Sequence, residues 1–191
     1  SGGIATERLL LKNIKIISEN SETTGDILIS DGIIEDVSEN ISINKSAFVI
    51  DGEGRLVAFP SLFDMHVHFR DPGFTHKEDI LTGAEAALAG GFTSVACMPN
   101  TNPPIDNAET VRYIIEKAAQ TGVLVYPVGC ITKGLNGEEL CDYDELKKAG
   151  AIAVSDDGKP VKNAGVMLEA LKKAKESGIP VISHCEDMDI I

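Results

Sequence analysis

His66 and His68 stand two positions apart in the run Phe63-Asp64-Met65-His66-Val67-His68-Phe69-Arg70-Asp71-Pro72-Gly73. Side chains two apart on a strand share one side. Both imidazoles therefore project together, where Pro72-Gly73 ends the strand and opens a loop. Paired imidazoles make a ready metal site, because His nitrogen is a favoured Zn²⁺ ligand; the competing reading is two histidines packed at a strand end. Later residues separate the two readings. Asn100, the pair Asp156-Asp157 and His184 each follow an apolar run, so three of the four histidines fall at strand ends. A metal gathered by such groups lowers the pKa of bound water to ~7 and polarises a carbonyl.

The elements that must position these residues change character along the chain. Residues 8–58 read as short β segments at 9–11, 14–17, 26–29, 33–37 and 47–50. Asp31-Gly32 gives a hairpin turn and Asp51-Gly52-Glu53-Gly54 another. From residue 62 apolar runs alternate with helical patterns, the mark of a parallel sheet. The first run is read as buried, through Leu56-Val57-Ala58-Phe59 and Leu62-Phe63. Further strands are predicted at 93–98, 124–128, 152–154 and 181–183, and helices at 78–88, 108–120, 143–148 and 165–176. Gly90-Gly91, Gly122, Gly150 and Gly178 fall where helix C-caps are expected. In a (β/α)₈ barrel the active site is built from the C-terminal ends of several strands, where these polar residues fall. The expected class is α/β: the N-terminal part of a TIM (β/α)₈ barrel over 61–191, preceded by a small β-sandwich domain over 1–60.

With 191 residues, 43% of them apolar, the chain can bury a sizeable core. A net charge of −13 argues against a nucleic-acid surface, which needs a basic patch. Cys97, Cys130, Cys141 and Cys185 form no CxxC pair and read as reduced thiols of a cytosolic protein. No apolar run approaches a membrane span and no signal-peptide pattern is present, so no membrane partner and a cytoplasmic location are expected.

The stretch 64–73, followed by Thr75-His76-Lys77-Glu78-Asp79, resembles the signature of dihydroorotases in the amidohydrolase superfamily. Met98-Pro99-Asn100-Thr101, Ser155-Asp156-Asp157-Gly158 and Ser183-His184-Cys185-Glu186-Asp187 match further blocks of that family in the same order. The resemblance implies a metal-dependent hydrolase that opens the cyclic amide of dihydroorotate to carbamoyl aspartate, reversibly, in pyrimidine synthesis. It implies two Zn²⁺ per site in the full-length enzyme, held by His66, His68, Asp157 as a bridging carboxylate, and His184. Hydantoinases use a carboxylated lysine at the bridging position, so Asp157 favours the dihydroorotase branch. Substrate contacts would come from His68, Arg70 and Asn100, Arg70 offering a bidentate fork to the substrate carboxylate. The implied partners are this small molecule, further copies of the chain in a homo-oligomer, and an assembly with aspartate transcarbamoylase. Two other readings stay open: a different cyclic amidohydrolase (an allantoinase or hydantoinase), and a dihydroorotase-like scaffold without catalysis.

A (β/α)₈ barrel takes about 250 residues, and the family's late catalytic Asp would lie beyond Ile191. The expectation is therefore a piece of a longer enzyme that does not turn over substrate by itself. His76 reads as loop polarity, Asp156 as a turn residue rather than a ligand, and Lys159 as solvent-facing. Cys185 is expected in packed core, because adjacent strand residues face opposite sides. Arg70, two positions past His68, is expected on the histidines' side by the same alternation.

Overall fold

A computed structural model describes residues 7–43, 46–186 and 190. Ser1-Gly2-Gly3 and Asp187 of the last motif lie outside them. The chain divides into two compact units, Ser1–Pro60 and Ser61–Ile191.

The first unit holds strands β1 (Arg8–Ser18), β2 (Ser21–Ser30), β3 (Ile33–Ser38), β4 (Phe48–Asp51) and β5 (Val57–Ala58). They form one mixed sheet in the order β3-β2-β1-β4, with β5 also pairing β1. The segments expected at 9–11 and 14–17 are one strand, because a bulge between Leu11 and Ile14 lets pairing with β2 continue. Asn13 takes φ 52° there. Its N–H is satisfied by buried Asp26 at 3.0 Å, and the second Asp26 oxygen accepts from Ile41 N–H at 2.9 Å. Asp31 and Gly32 have φ of 50° and 79°, both in the range that a type I′ hairpin needs. Leu10, Leu28 and Ile41 form the buried cluster of this unit.

The second unit alternates strand and helix: β6 (Leu62–Val67), α1 (Ile80–Ala89), β7 (Phe92–Cys97), α2 (Ala108–Ala118), β8 (Leu124–Cys130), α3 (Tyr143–Ala149), β9 (Ala153–Ser155) and α4 (Ala164–Ser177). The strands pair in parallel in the order β6-β7-β8-β9, as βαβ crossovers require. The period-2 alternation of β7 sorts its side chains into two layers. Val95 and Cys97 join a cluster with Ile80, Val111, Ile114 and Leu146 of the helices. Ala96 and Met98 pack with Val128 and Ala153 in a separate cluster.

Helix limits follow from capping chemistry. Asp79 accepts from Leu81 and Thr82 N–H groups, so α1 begins at Ile80 rather than 78. Asn107, Asp142 and Asn163 cap α2, α3 and α4. Gly150 and Gly178 close α3 and α4 with φ of 115° and 62°, a conformation that side chains resist. Ala119, not Gly122, caps α2.

Two expectations are corrected here. The run into β6 is not buried: Leu62 and Phe63 are each 41% exposed, because β6 lies at a sheet edge with a neighbour on one side only. The strand expected at 181–183 is a single bridge, Val181 to Val154. Val154 N–H donates to Pro180 O and Ile182 N–H to Val154 O, both at 2.9 Å. With β9 only three residues long, the pairing stops there.

Candidate metal centre

Asp157 lies two residues beyond β9, its side chain 7% exposed. Its Oδ2 is 3.2 Å from His66 Nε2 and 3.3 Å from His184 Nδ1, and its Oδ1 is 3.3 Å from His68 Nε2. One carboxylate thus meets three imidazoles carried by the ends of β6 and of the Val181 bridge. Ligand atoms of His66, His68 and Asp157 all lie within 4.8 Å of one another. His184 joins that trio through Asp157 Oδ2. Strands β6 and β9 would stand about 14 Å apart if the sheet were flat, so the 3.2 Å contact between His66 and Asp157 requires a curled sheet.

The histidines are oriented from behind. His68 Nδ1 is 2.8 Å from Asn100 Oδ1; an amide oxygen only accepts, so this bond favours the tautomer protonated on Nδ1, whose Nε2 lone pair is free for a metal. His184 Nε2 is 3.0 Å from Glu186 Oε2, which in the same way leaves Nδ1 towards Asp157. Val67, between the paired histidines, packs against the helix-side cluster. That burial turns His66 to the opposite side, as alternation demands. The donor set of two imidazoles and a carboxylate suits a divalent transition metal such as zinc.

The other predicted residues sort as follows. Asp156 is buried and accepts from Ile131 N–H at 2.8 Å, from Thr132 N–H at 3.0 Å, and from the Thr132 hydroxyl. Burial pushes its carboxyl up, opposed by those hydrogen bonds. It ties the loop after β8 to the end of β9 and so fixes the residue that precedes Asp157. Lys159 and His76 are exposed. Arg70 is not on the strand: β6 ends at Val67, and Arg70 has φ 60°. Strand alternation therefore does not govern its direction. Its neighbour Asp71 is taken by Lys117 and Tyr113, so Arg70 does not pair with it. Cys185 is exposed rather than packed, because regular pairing ends before it. Cys97, Cys130 and Cys141 are buried free thiols.

Asn100 and Glu186 as partners of the histidines escaped the residue pattern. Asn100 drew notice as a strand-end polar group, but nothing in its spacing specifies a bond to His68. A carboxylate two positions after a candidate ligand was the available signal for Glu186.

A cavity of about 560 Å³ opens beside the centre, lined in part by Glu138, Gly158, Lys159, Lys162 and Glu186. No helix among the described residues is long and apolar enough to cross a membrane.

Comparison with known proteins gives a consistent result. A family described as "Dihydro-orotase-like" matches residues 54–191. A protein named dihydroorotase from Acetivibrio thermocellus is 52% identical over 185 residues, which is 95% of this chain and 43% of that protein. The dihydroorotase of Aquifex aeolicus is 48% identical over 94% of this chain and 43% of its own length. The chain thus spans less than half the length of these relatives. Among solved structures, an L-hydantoinase from Arthrobacter aurescens superposes with a TM-score of 0.82 at 23% identity, over 95% of this chain and 41% of that one. That likeness concerns the fold.

Proposed function

The chain belongs to the dihydro-orotase-like family, and on that premise we propose that it contributes the metal-binding half of a dihydroorotase. The reaction is reversible hydrolysis of the cyclic amide of dihydroorotate to carbamoyl aspartate, a step of pyrimidine synthesis. The observation that carries this reading is the Asp157 carboxylate set against His66, His68 and His184. His66, His68, Asp157 and His184 are the residues that would hold the two Zn²⁺ ions the family resemblance implies, their imidazole and carboxylate donors suiting that metal. Metal bound there supplies Lewis acidity and a water of lowered pKa.

The chain's own groups then orient and bind. Asn100 holds His68 in the tautomer whose Nε2 can ligate, and Glu186 does the same for Nδ1 of His184. Arg70 offers a planar fork that matches the carboxylate of dihydroorotate. Its guanidinium has no ion-pair partner among the described residues, which leaves the fork available. An aspartate at the bridging position supports dihydroorotate over the hydantoin class. The reading extends to a cytoplasmic location, for which the reduced, buried cysteines speak. It also extends to self-association and to an assembly with aspartate transcarbamoylase, which co-purification would check.

The test uses a full-length polypeptide carrying this chain, loaded with zinc. It should contain two metal ions per site and interconvert dihydroorotate and carbamoyl aspartate. Turnover of hydantoin or allantoin in preference to dihydroorotate would overturn the substrate. Full metal content without turnover of any of these compounds would favour a scaffold.

A further inference from the structure

The loop between β6 and α1 contains a buried charge that the metal centre does not use. The Asp71 side chain is fully enclosed, yet its Oδ1 accepts from Tyr113 Oη at 2.9 Å and its Oδ2 from Lys117 Nζ at 2.5 Å. Ile80 N–H, at the start of α1, adds a longer bond of 3.4 Å to Oδ2. Tyr113 and Lys117 stand one turn apart on α2, so a single helix face presents both donors. Lys117 Nζ also lies 5.7 Å from the Tyr113 ring centre. A buried ion pair stabilises little, because desolvation offsets the attraction. Its use here is better sought in what it specifies.

Next to it, Arg70 holds φ 60°, a left-handed conformation that residues with side chains avoid and that persists only where the surroundings over-determine it. They do so from both sides. Phe69 is buried against Gly83 of α1, where an added Cβ would come within 2.4 Å of the ring. Asp71 is clamped by α2. Phe74 N–H donates to Arg70 O at 2.8 Å, and Asn102 N–H to Pro72 O at 2.9 Å. Gly73 sits so close to Asn102 that a Cβ would fall 2.0 Å from its carbonyl oxygen.

We propose that Tyr113 and Lys117 are positioning residues: by clamping Asp71 they fix the left-handed backbone of Arg70, and with it the direction in which the guanidinium leaves the loop to meet an anionic group of the substrate. The inference rests on the dihydroorotase reading, in which that group is the carboxylate. The residues lie on a helix and belong to no metal ligand, so their loss separates substrate recognition from metal binding.

Lys117→Met, Lys117→Arg and Tyr113→Phe in the full-length zinc enzyme test this. Lys117→Met should raise KM for dihydroorotate ~10-fold and leave kcat within about 2-fold, with metal content unchanged. The inhibition constant of dihydrouracil, the same ring without the carboxylate, should not move. Lys117→Arg should restore KM, since it returns a cation to Asp71. If Lys117→Met does not fold, Tyr113→Phe decides: it keeps the ion pair and should show a smaller shift of the same selectivity. An unchanged KM in the folded variants, or equal weakening of dihydroorotate and dihydrouracil, overturns the positioning role. A wild-type enzyme inert towards dihydroorotate instead overturns the functional reading, and this inference with it.

Discussion

Asn100 Oδ1 lies 2.8 Å from His68 Nδ1, and this bond leaves His68 Nε2 facing Asp157 at 3.3 Å. Asn100 therefore acts on the centre through a histidine, whatever it also does for the substrate. Asn100→Ala should weaken zinc binding ~10–100-fold, the usual effect of removing a partner that orients a ligand. Zinc competition with a chelator would measure it. Unchanged affinity would restrict Asn100 to the substrate.

The adjacent carboxylates Asp156 and Asp157 should fail in different ways. In the full-length enzyme of the proposed function, Asp157→Ala should release metal and abolish turnover, because the three imidazoles lose their common partner. Asp156→Ala leaves the buried Thr132 N–H unsatisfied and Ile131 N–H with only its longer bond to Ser155 O, which costs about 1–3 kcal/mol. It should lower the melting temperature and have the milder effect on metal content. Metal analysis and thermal melts of the two variants separate the roles.

In the full-length enzyme of the proposed function, Arg70→Lys should lower kcat/KM for dihydroorotate at least ~10-fold, or about 1.4 kcal/mol, because an ammonium cannot reproduce the bidentate fork. Zinc content should stay normal, and a cyclic ureide lacking the carboxylate should be affected far less. Equal loss on both substrates would give Arg70 a structural role.

The thiols offer a check on the packing. Burial pushes Cys97 and Cys141 up to about 12 and Cys130 further in the same direction, whereas Cys185 is exposed. Alkylation of the folded chain at pH 8 should stop at one equivalent, on Cys185, and reach four after unfolding. The folded state keeps these protons until about pH 12, while free thiols release them near 9. Stability is therefore full below pH 9 and falls as pH rises through that window.

The features legible in the sequence were those set by short-range rules. Alternation around Val67 placed His66 and His68 on one side, and Asp31-Gly32 made its turn. Each strand–helix unit was visible because its periodicity changes within a few residues. The expectations that failed needed knowledge of neighbours. Leu62 and Phe63 are as apolar as any buried pair, but β6 has a partner on one side only. Alternation was extended to Cys185, although pairing ends after the Val181 bridge. For Arg70 only the premise fails: pairing ends at Val67, so the loop and not strand alternation sets its direction. The Asp71 cluster was invisible for the same reason. Nothing near Asp71 in the sequence announces Tyr113 or Lys117, which reach it only once α2 has packed.

The curl of the parallel sheet makes the centre a clasp. His66 and Asp157 belong to opposite borders of the four-strand array and touch only because the array is bent. An ion seated between them would grip the two borders at once, unlike a zinc held within one short loop, and would resist flattening of the whole array. Ligand present at 100 times its dissociation constant adds about 2.7 kcal/mol to a fold that binds it. Here that increment would be spread over every strand from β6 to β9, so stripping the metal with a chelator should loosen amide protection far from the histidines, out to the middle of β7 and β8.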